Sequence, residues 1–232
     1  MIVKNIPMLE ELNLAQWPRR AAFEFFRGFD KPYFNVCTRV DVTALKPALR
    51  QAGVGSVSLA CHYLAMALAN TIEPFTYRLL GGKVWRHRPV HLSTTVLLPD
   101  ESFGFVYLAY APTFPAFVQA AQPAWQAAHA GHLDFEPRPD EQAVLHCTTL
   151  PWLHFTSFSH ARQWGREDAV PKIAFGRIDE ETRAGVTRCW MPLSVEVHHA
   201  LMDGLAVGRY VQGFEAAMKD PLPWLIGADP AP

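Results

Sequence analysis

The chain has 232 residues, 50% of them apolar and 19% charged, with 21 basic against 22 acidic residues and a formal net charge of -1. That is enough chain to bury a sizeable core as one domain. A charge balance without a block of one sign lacks the electrostatic footprint of a protein that binds nucleic acid or an anionic membrane, so a small neutral or mixed ligand is the expected partner.

The opening stretch MIVKNIPMLEELNLAQW has no basic patch followed by an apolar run. Nowhere do about eighteen apolar residues follow one another, so neither secretion nor membrane insertion is expected and the cytoplasm is the default location. YFNVCTRVDV reads as a strand, TALKPALRQAG as a helix, and SLACHYLAMALANTI as a second helix with so little polar face that it belongs at the centre. KVWRH, HLSTTVLLP and FGFVYLAY are strand-like and separated by turn residues, which suggests a meander. FPAFVQAAQPAWQAAHAG returns to helical composition with Pro123 as a kink candidate, and the polar, proline-bearing HLDFEPRPDEQA is a loop. VLHCTTLPWLHFTSFS, KIAFGRI and RCWMPLSVEVHH are further strand candidates, followed by a helix over about 205–218 and a tail over about 220–232 with one apolar anchor. Helical and strand periods alternating in one unit predict an α/β fold of the α+β two-layer sandwich kind: a mixed β-sheet covered by helices, one domain over 1–232.

The four cysteines, Cys37, Cys61, Cys147 and Cys189, are far apart and form no CxxC pair, so they read as core packing in a reducing compartment. No GxSxG elbow is present, which weakens a hydrolase. Two histidine spacings, His87 with His91 and His129 with His132, are poor metal candidates: Pro89 interrupts the first and a polar turn holds the second. No metal is expected.

The segment VEVHHALMDGLAVGRY carries the chemistry. Met191, Leu193, Val195 and Val197 occupy one face of an alternating run and Ser194, Glu196 and His198 the other, so His199 shares the apolar side. Partly apolar surroundings bias an imidazole towards the neutral form that a general base needs. Asp203 and Gly204 follow, and spacing alone leaves two readings open: a carboxylate partnered to the site, or a helix N-cap with its turn glycine.

HHALMDG fits the HHxxxDG signature of coenzyme A-dependent acyltransferases. QWPRRAAFEFF resembles the WxRRxxFEFY opening of the chloramphenicol acetyltransferase family, and TTLPWLHFTSFS its SALPWxxFxSF segment. With MPLSVEVHHALMDGLAVGRY similar to the family's closing segment, the likeness spans nearly the whole chain.

The resemblance implies a chloramphenicol acetyltransferase-like fold and transfer of an acetyl or other short acyl group from acetyl-CoA, a cosubstrate, to a hydroxyl of a small molecule. It passes the role of base to His199 and that of oxyanion donor to Thr148, which keeps a hydroxyl where the family has serine. Asp203 matches a structural aspartate paired with Arg19. The family implies a homotrimer with sites between subunits, in which Phe26, Phe103, Phe105, Phe135, His160 and Ala174 match positions lining a mainly apolar acceptor tunnel. Three of these depart from the drug-inactivating pattern: Phe26 for tyrosine, Ala174 for a water-holding threonine, His160 for an apolar residue. The acceptor is accordingly chloramphenicol, as in antibiotic resistance, or a related metabolite. The alternative is a catalytically inactive trimeric binding or scaffold protein of the same fold.

Overall fold

A computed structural model describes residues 8–131, 142–162 and 167–227. Along these the elements are β1 (Met8–Glu11), α1 (Arg20–Phe26), β2 (Tyr33–Asp41), α2 (Leu45–Ala52), α3 (Val57–Thr71), a 3-10 turn (Glu73–Thr76), β3 (Tyr77–Leu80), β4 (Lys83–Arg88), β5 (His91–Leu97), β6 (Phe103–Leu108), α4 (Phe114–His129), β7 (Val144–Leu150), β8 (Lys172–Gly176), β9 (Asp179–Arg183), β10 (Val186–His198), α5 (Gly204–Lys219) and α6 (Leu222–Ile226).

The main sheet has seven strands in the order β2-β10-β8-β7-β5-β6, with β9 added to the outer part of β10. It is mixed: β5, β7 and β8 pair in parallel, while β2, β6, β8 and β9 meet their other neighbours antiparallel. Alternation decides which side becomes the core. Leu145, Cys147, Ile173, Phe175, Leu193, Val195 and Val197 are all buried and belong to one cluster with the apolar residues of α3, α4 and α5. In α3 every residue from Ala60 to Ala69 is buried, which is why that helix shows so little amphipathic contrast. Ser56 caps it by accepting from the Leu59 amide at 3.2 Å.

Three expectations change. β4 does not continue a meander into β5; it joins β1 and β3 in a separate antiparallel sheet, while β5 pairs with β6 and β7. Between the sheets Val90 finds no strand partner, and the Asn70 side chain takes both its main-chain groups, at 2.8 and 2.9 Å. α4 runs unbroken through Pro123. The stretch read as a tail folds back as α6, whose Leu225 is the anchor and is fully buried, and Gly227 ends it at φ 71°. Leu45–Ala52 packs on the core through Leu45 and Ala48, Val57–Thr71 runs through it, and no single described helix is long and apolar enough to cross a membrane.

Candidate active site

The site is built where β10 ends. A second apolar cluster, Phe23, Tyr77, Leu79, Val84, Ala169, Ala200 and Leu201, seats α1 and the loop after β10 against the small sheet. Trp17 joins it, its ring 5.8 Å from Phe23 and 5.7 Å from Tyr77. Anchored on both sides, Arg19 reaches the loop with its whole guanidinium. Nη1 donates to Asp203 Oδ2 at 2.7 Å, Nη2 to the His199 carbonyl at 2.6 Å, and Nε to the Ala200 carbonyl at 3.3 Å. Such a planar fork suits three fixed acceptors in a way a lysine cannot.

Asp203 does two jobs at once. Oδ1 accepts from the amides of Leu205 and Ala206, capping α5, while Oδ2 takes Arg19. Burial by itself would raise its pKa, but the Ala206 and Leu205 amides and Arg19 outweigh that and hold the carboxyl below its usual range. The cap and the carboxylate partner, alternatives on spacing, are one residue.

His199 follows directly on β10, and its main-chain amide donates to the Pro32 carbonyl at 2.6 Å. Its Nδ1 lies 3.1 Å from the Met202 carbonyl. A carbonyl only accepts, so in the neutral ring Nδ1 carries the hydrogen and Nε2 keeps its lone pair. Phe26 stacks on the imidazole, with centroids 3.9 Å apart and planes 15° from parallel, and Phe34 tilts against it at 4.7 Å. Phe25 and Phe29 extend the aromatic surface, each 5.0 Å from a neighbouring phenyl ring, and are 62% and 47% exposed. His198 points to the opposite face, where it is buried as well, against Tyr33 at 5.1 Å. Burial pushes its pKa down to about 4, with Arg162 adding to the shift.

That opposite face of the main sheet carries the remaining candidates. Register aligns Cys37, Ser194, Ala174 and Thr148 across β2, β10, β8 and β7. Phe103 and Phe105 meet edge to face at 5.8 Å on β6, with Phe105 opposite Thr95 of β5. Thr148 is level with Ser194 two strands away, so at ~3.3 Å per residue and ~5 Å per strand it lies on the order of 19 Å from His199 of the same chain. Phe135 lies outside the described residues.

One strand row nearer to His199, the face is charged. Lys172 aligns with His146 on one side and Glu196 on the other. Arg162 joins Glu196 at 2.8 Å and Asp168 at 3.1 Å, Lys172 joins Asp168 at 3.0 Å, and the His160 amide donates to Glu196 at 3.0 Å. Burial would raise Glu196, but His160 and Arg162 overcome it and bring its pKa to about 2. The surroundings of His160 are therefore ionic on this side, whereas the resemblance implies a mainly apolar lining. An open cleft of about 460 Å³ lined by Arg39, Glu181, Arg183, Val186, Arg188 and Trp190 opens at the other end of β10, away from these groups.

The family profile for chloramphenicol acetyltransferase matches residues 8–215. The chain belongs to the chloramphenicol acetyltransferase family. A chloramphenicol acetyltransferase of Streptomyces acrimycini is 32% identical over 225 residues, spanning 95% of this chain and 98% of that protein. Chloramphenicol acetyltransferase 2 of Escherichia coli is 25% identical over 202 residues, 86% of this chain and 92% of that one. Among solved structures a chloramphenicol acetyltransferase superposes with a TM-score of 0.78 at 22% identity, covering 91% of this chain and all of its own. The dihydrolipoamide acetyltransferase of Azotobacter vinelandii superposes at 0.62 and 17% identity, covering 88% of each chain. These two share the fold. The identity and coverage of the relatives make this family member an acetyltransferase.

The structure thus brings together Arg19, Asp203, His199 and Phe26, and groups Thr148 with Ala174 elsewhere. Sequence reasoning missed Phe34 and the Met202 carbonyl as direct neighbours of His199. It also missed Arg162, Asp168, Lys172 and Glu196; in the sequence Lys172 and Glu196 look like the solvent side of half-buried strands.

Proposed function

We propose that the chain transfers an acetyl or other short acyl group from acyl-CoA to a hydroxyl of a small molecule, in a homotrimer whose sites form between copies. The observation that carries this reading is His199, with Nδ1 tied to Met202 and its loop clamped by Arg19. Held so, Nε2 takes the hydroxyl proton as the acceptor oxygen attacks the thioester carbonyl, an effect of ~10²–10⁴ in rate. The oxyanion that forms is received by the Thr148 hydroxyl, a donor aimed in advance. Collapse breaks the carbon–sulfur bond, and the departing CoA thiolate recovers the proton from His199, leaving ester and free CoA. Arg19 and Asp203 position the base and move no proton.

An oxyanion donor must lie ~3 Å from the reacting oxygen. Thr148 and His199 of one chain are too far apart for that, which supports a site assembled from His199 of one copy and Thr148 of another. A head-to-tail contact that closes into a ring meets this requirement. The exposed aromatic surface of Phe25 and Phe29 beside His199, and that of Phe103 and Phe105 on β6, are faces such a contact would cover.

Phe26, Ala174 and His160 differ at three acceptor positions while His199, Asp203, Arg19 and Thr148 are all present, which favours altered acceptor choice over an inactive scaffold. The test is thiol release from acetyl-CoA with a panel of alcohols that includes chloramphenicol. His199→Ala should abolish release. Wild-type protein that neither binds acyl-CoA nor releases thiol with any acceptor would return the scaffold reading.

A further inference from the structure

The ionic cluster behind β10 leaves some of its own hydrogen-bonding capacity unmet, and what it leaves is specific. Each of the four carboxylate oxygens already accepts a bond. Glu196 Oε1 receives Arg162 Nε at 2.8 Å and Oε2 the His160 amide at 3.0 Å; Asp168 Oδ1 receives Arg162 Nη1 at 3.1 Å and Oδ2 Lys172 Nζ at 3.0 Å. Lys172 also donates to the Ala161 carbonyl at 2.9 Å, and Arg162 Nη1 to that of Val170 at 3.0 Å. Arg162 Nη2 has no hydrogen-bond partner, although the side chain is only 7% exposed, and the same holds for both ring nitrogens of His160, 10% exposed. The Tyr33 ring, 4.3 Å from the Arg162 guanidinium carbon, fixes the plane in which Nη2 points.

Buried N–H groups are rarely left unbonded, because the lost hydration is not recovered. A ligand that met the Arg162 Nη2 donor would have to bring an acceptor oxygen, since a guanidinium N–H only donates. The charge balance agrees. Arg162 and Lys172 are matched by Asp168 and Glu196, while the fully buried Arg78 next to them bonds main-chain carbonyls of Phe75, Tyr77, Gln142 and Val144, leaving one cation in excess among these five described residues. Lys172 and His146 lie one side-chain row, ~7 Å, from Ala174 and Thr148 on the same face. Phe158 packs edge-on against His160 at 4.7 Å and gives the cluster an apolar wall.

We propose that this cluster selects the acceptor, and that the acceptor is an aryl alcohol bearing a carboxylate, received by Arg162 Nη2. The proposal rests on the acyl-transfer reading above, which leaves the acceptor class open. Arg162 is then a specificity residue. A carboxylate held there and a hydroxyl about one row away reach Thr148 together, whereas a neutral acceptor leaves the guanidinium unmet.

The test uses 4-(2-hydroxyethyl)benzoate and its methyl ester, which present the same hydroxyl with and without the anion. Thiol release from acetyl-CoA should give the acid a kcat/KM about ten- to a hundredfold above the ester, the range of one charge-assisted bond. Arg162→Gln should bring that ratio to about one. Calorimetric titration of the wild-type protein with both compounds in the presence of CoA reads the same preference without any variant. Equal turnover and equal binding of acid and ester overturn the proposal while leaving acyl transfer standing. Tighter binding of the acid with no thiol release from either compound supports the anion site and removes the transferase reading. An Arg162→Gln variant that loses both activities alike, or changes oligomeric state at an unchanged ratio, makes Arg162 structural and also overturns the proposal.

Discussion

The two faces of the main sheet are built from the same strands, one residue out of phase, and have opposite physics. One face, with Leu145, Ile173, Leu193, Val195 and Val197, is dry and packed by helices. The other holds Thr148 and Ala174 and, beside them, Lys172, Glu196, Arg162, Asp168 and His160, the last five joined by ion pairs and hydrogen bonds. Apolar burial on the first face is non-directional and tolerant of detail, so it determines the fold. Ion pairs on the second must each be geometrically complete to offset desolvation, so that face adds little net stability of its own. The catalytic loop sits where the two meet, with His199 leaving β10 in phase with the dry side and His198 in phase with the ionic one.

Substitutions can break this division of labour. The largest effect is expected from His199→Ala, a loss of ~10²–10⁴ in kcat/KM with an unchanged urea midpoint, read by thiol release and denaturation. Thr148→Val should cost ~10²–10³ in kcat and Thr148→Ser only a few-fold, because serine restores the hydroxyl. On the dry face Leu193→Ala should do the reverse: a stability loss of about 2–5 kcal/mol, with normal specific activity in what remains folded. Asp203→Asn should lower activity by roughly tenfold while changing stability by less than about 1 kcal/mol, since the side chain is 50% exposed and asparagine still caps α5.

A pH dependence spans both faces. Burial brings His62, between α3 and the sheet, and His146 and His198, on the ionic side, from an ordinary value of 6.5 down to about 4. Folded values below unfolded ones mean that the unfolded chain takes up protons first. Stability from these residues is complete above about pH 6.5 and is lost as pH falls towards 4. Thermal melts across that window should show the decline, and His62→Gln should flatten part of it.

The longer helices, most strands of the main sheet and the loop after β10 were legible because each has a strong local signal. β10 alternates over many residues, α3 is apolar all round, and the HHxxxDG and WxRR segments carry their resemblance in short stretches. What escaped was non-local. β1, β3 and β9 are four or five residues long, and Asp179–Arg183 has the sequence DEETR, which reads as solvent. Nothing local tells that β4 turns away from β5. The ionic face escaped for the same reason: Glu196 and Lys172 alternate with buried residues as solvent-facing residues would, and only the fold brings Arg162 and Asp168 over them. Asp203 shows the limit of spacing from the other side, since cap and ion-pair partner were posed as rivals and one carboxylate serves both.

The central claim is that catalysis needs His199 from one copy and Thr148 from another. Subunit mixing tests it most directly. His199→Ala and Thr148→Val proteins, each inactive alone, are unfolded together and refolded in equal amounts, and thiol release is measured. In a three-membered ring every mixed trimer regains one intact site of three, so roughly a quarter of wild-type activity should return. If the mixture stays as inactive as its parents although mixed trimers have formed, the two residues do not share a site between copies, and the account fails.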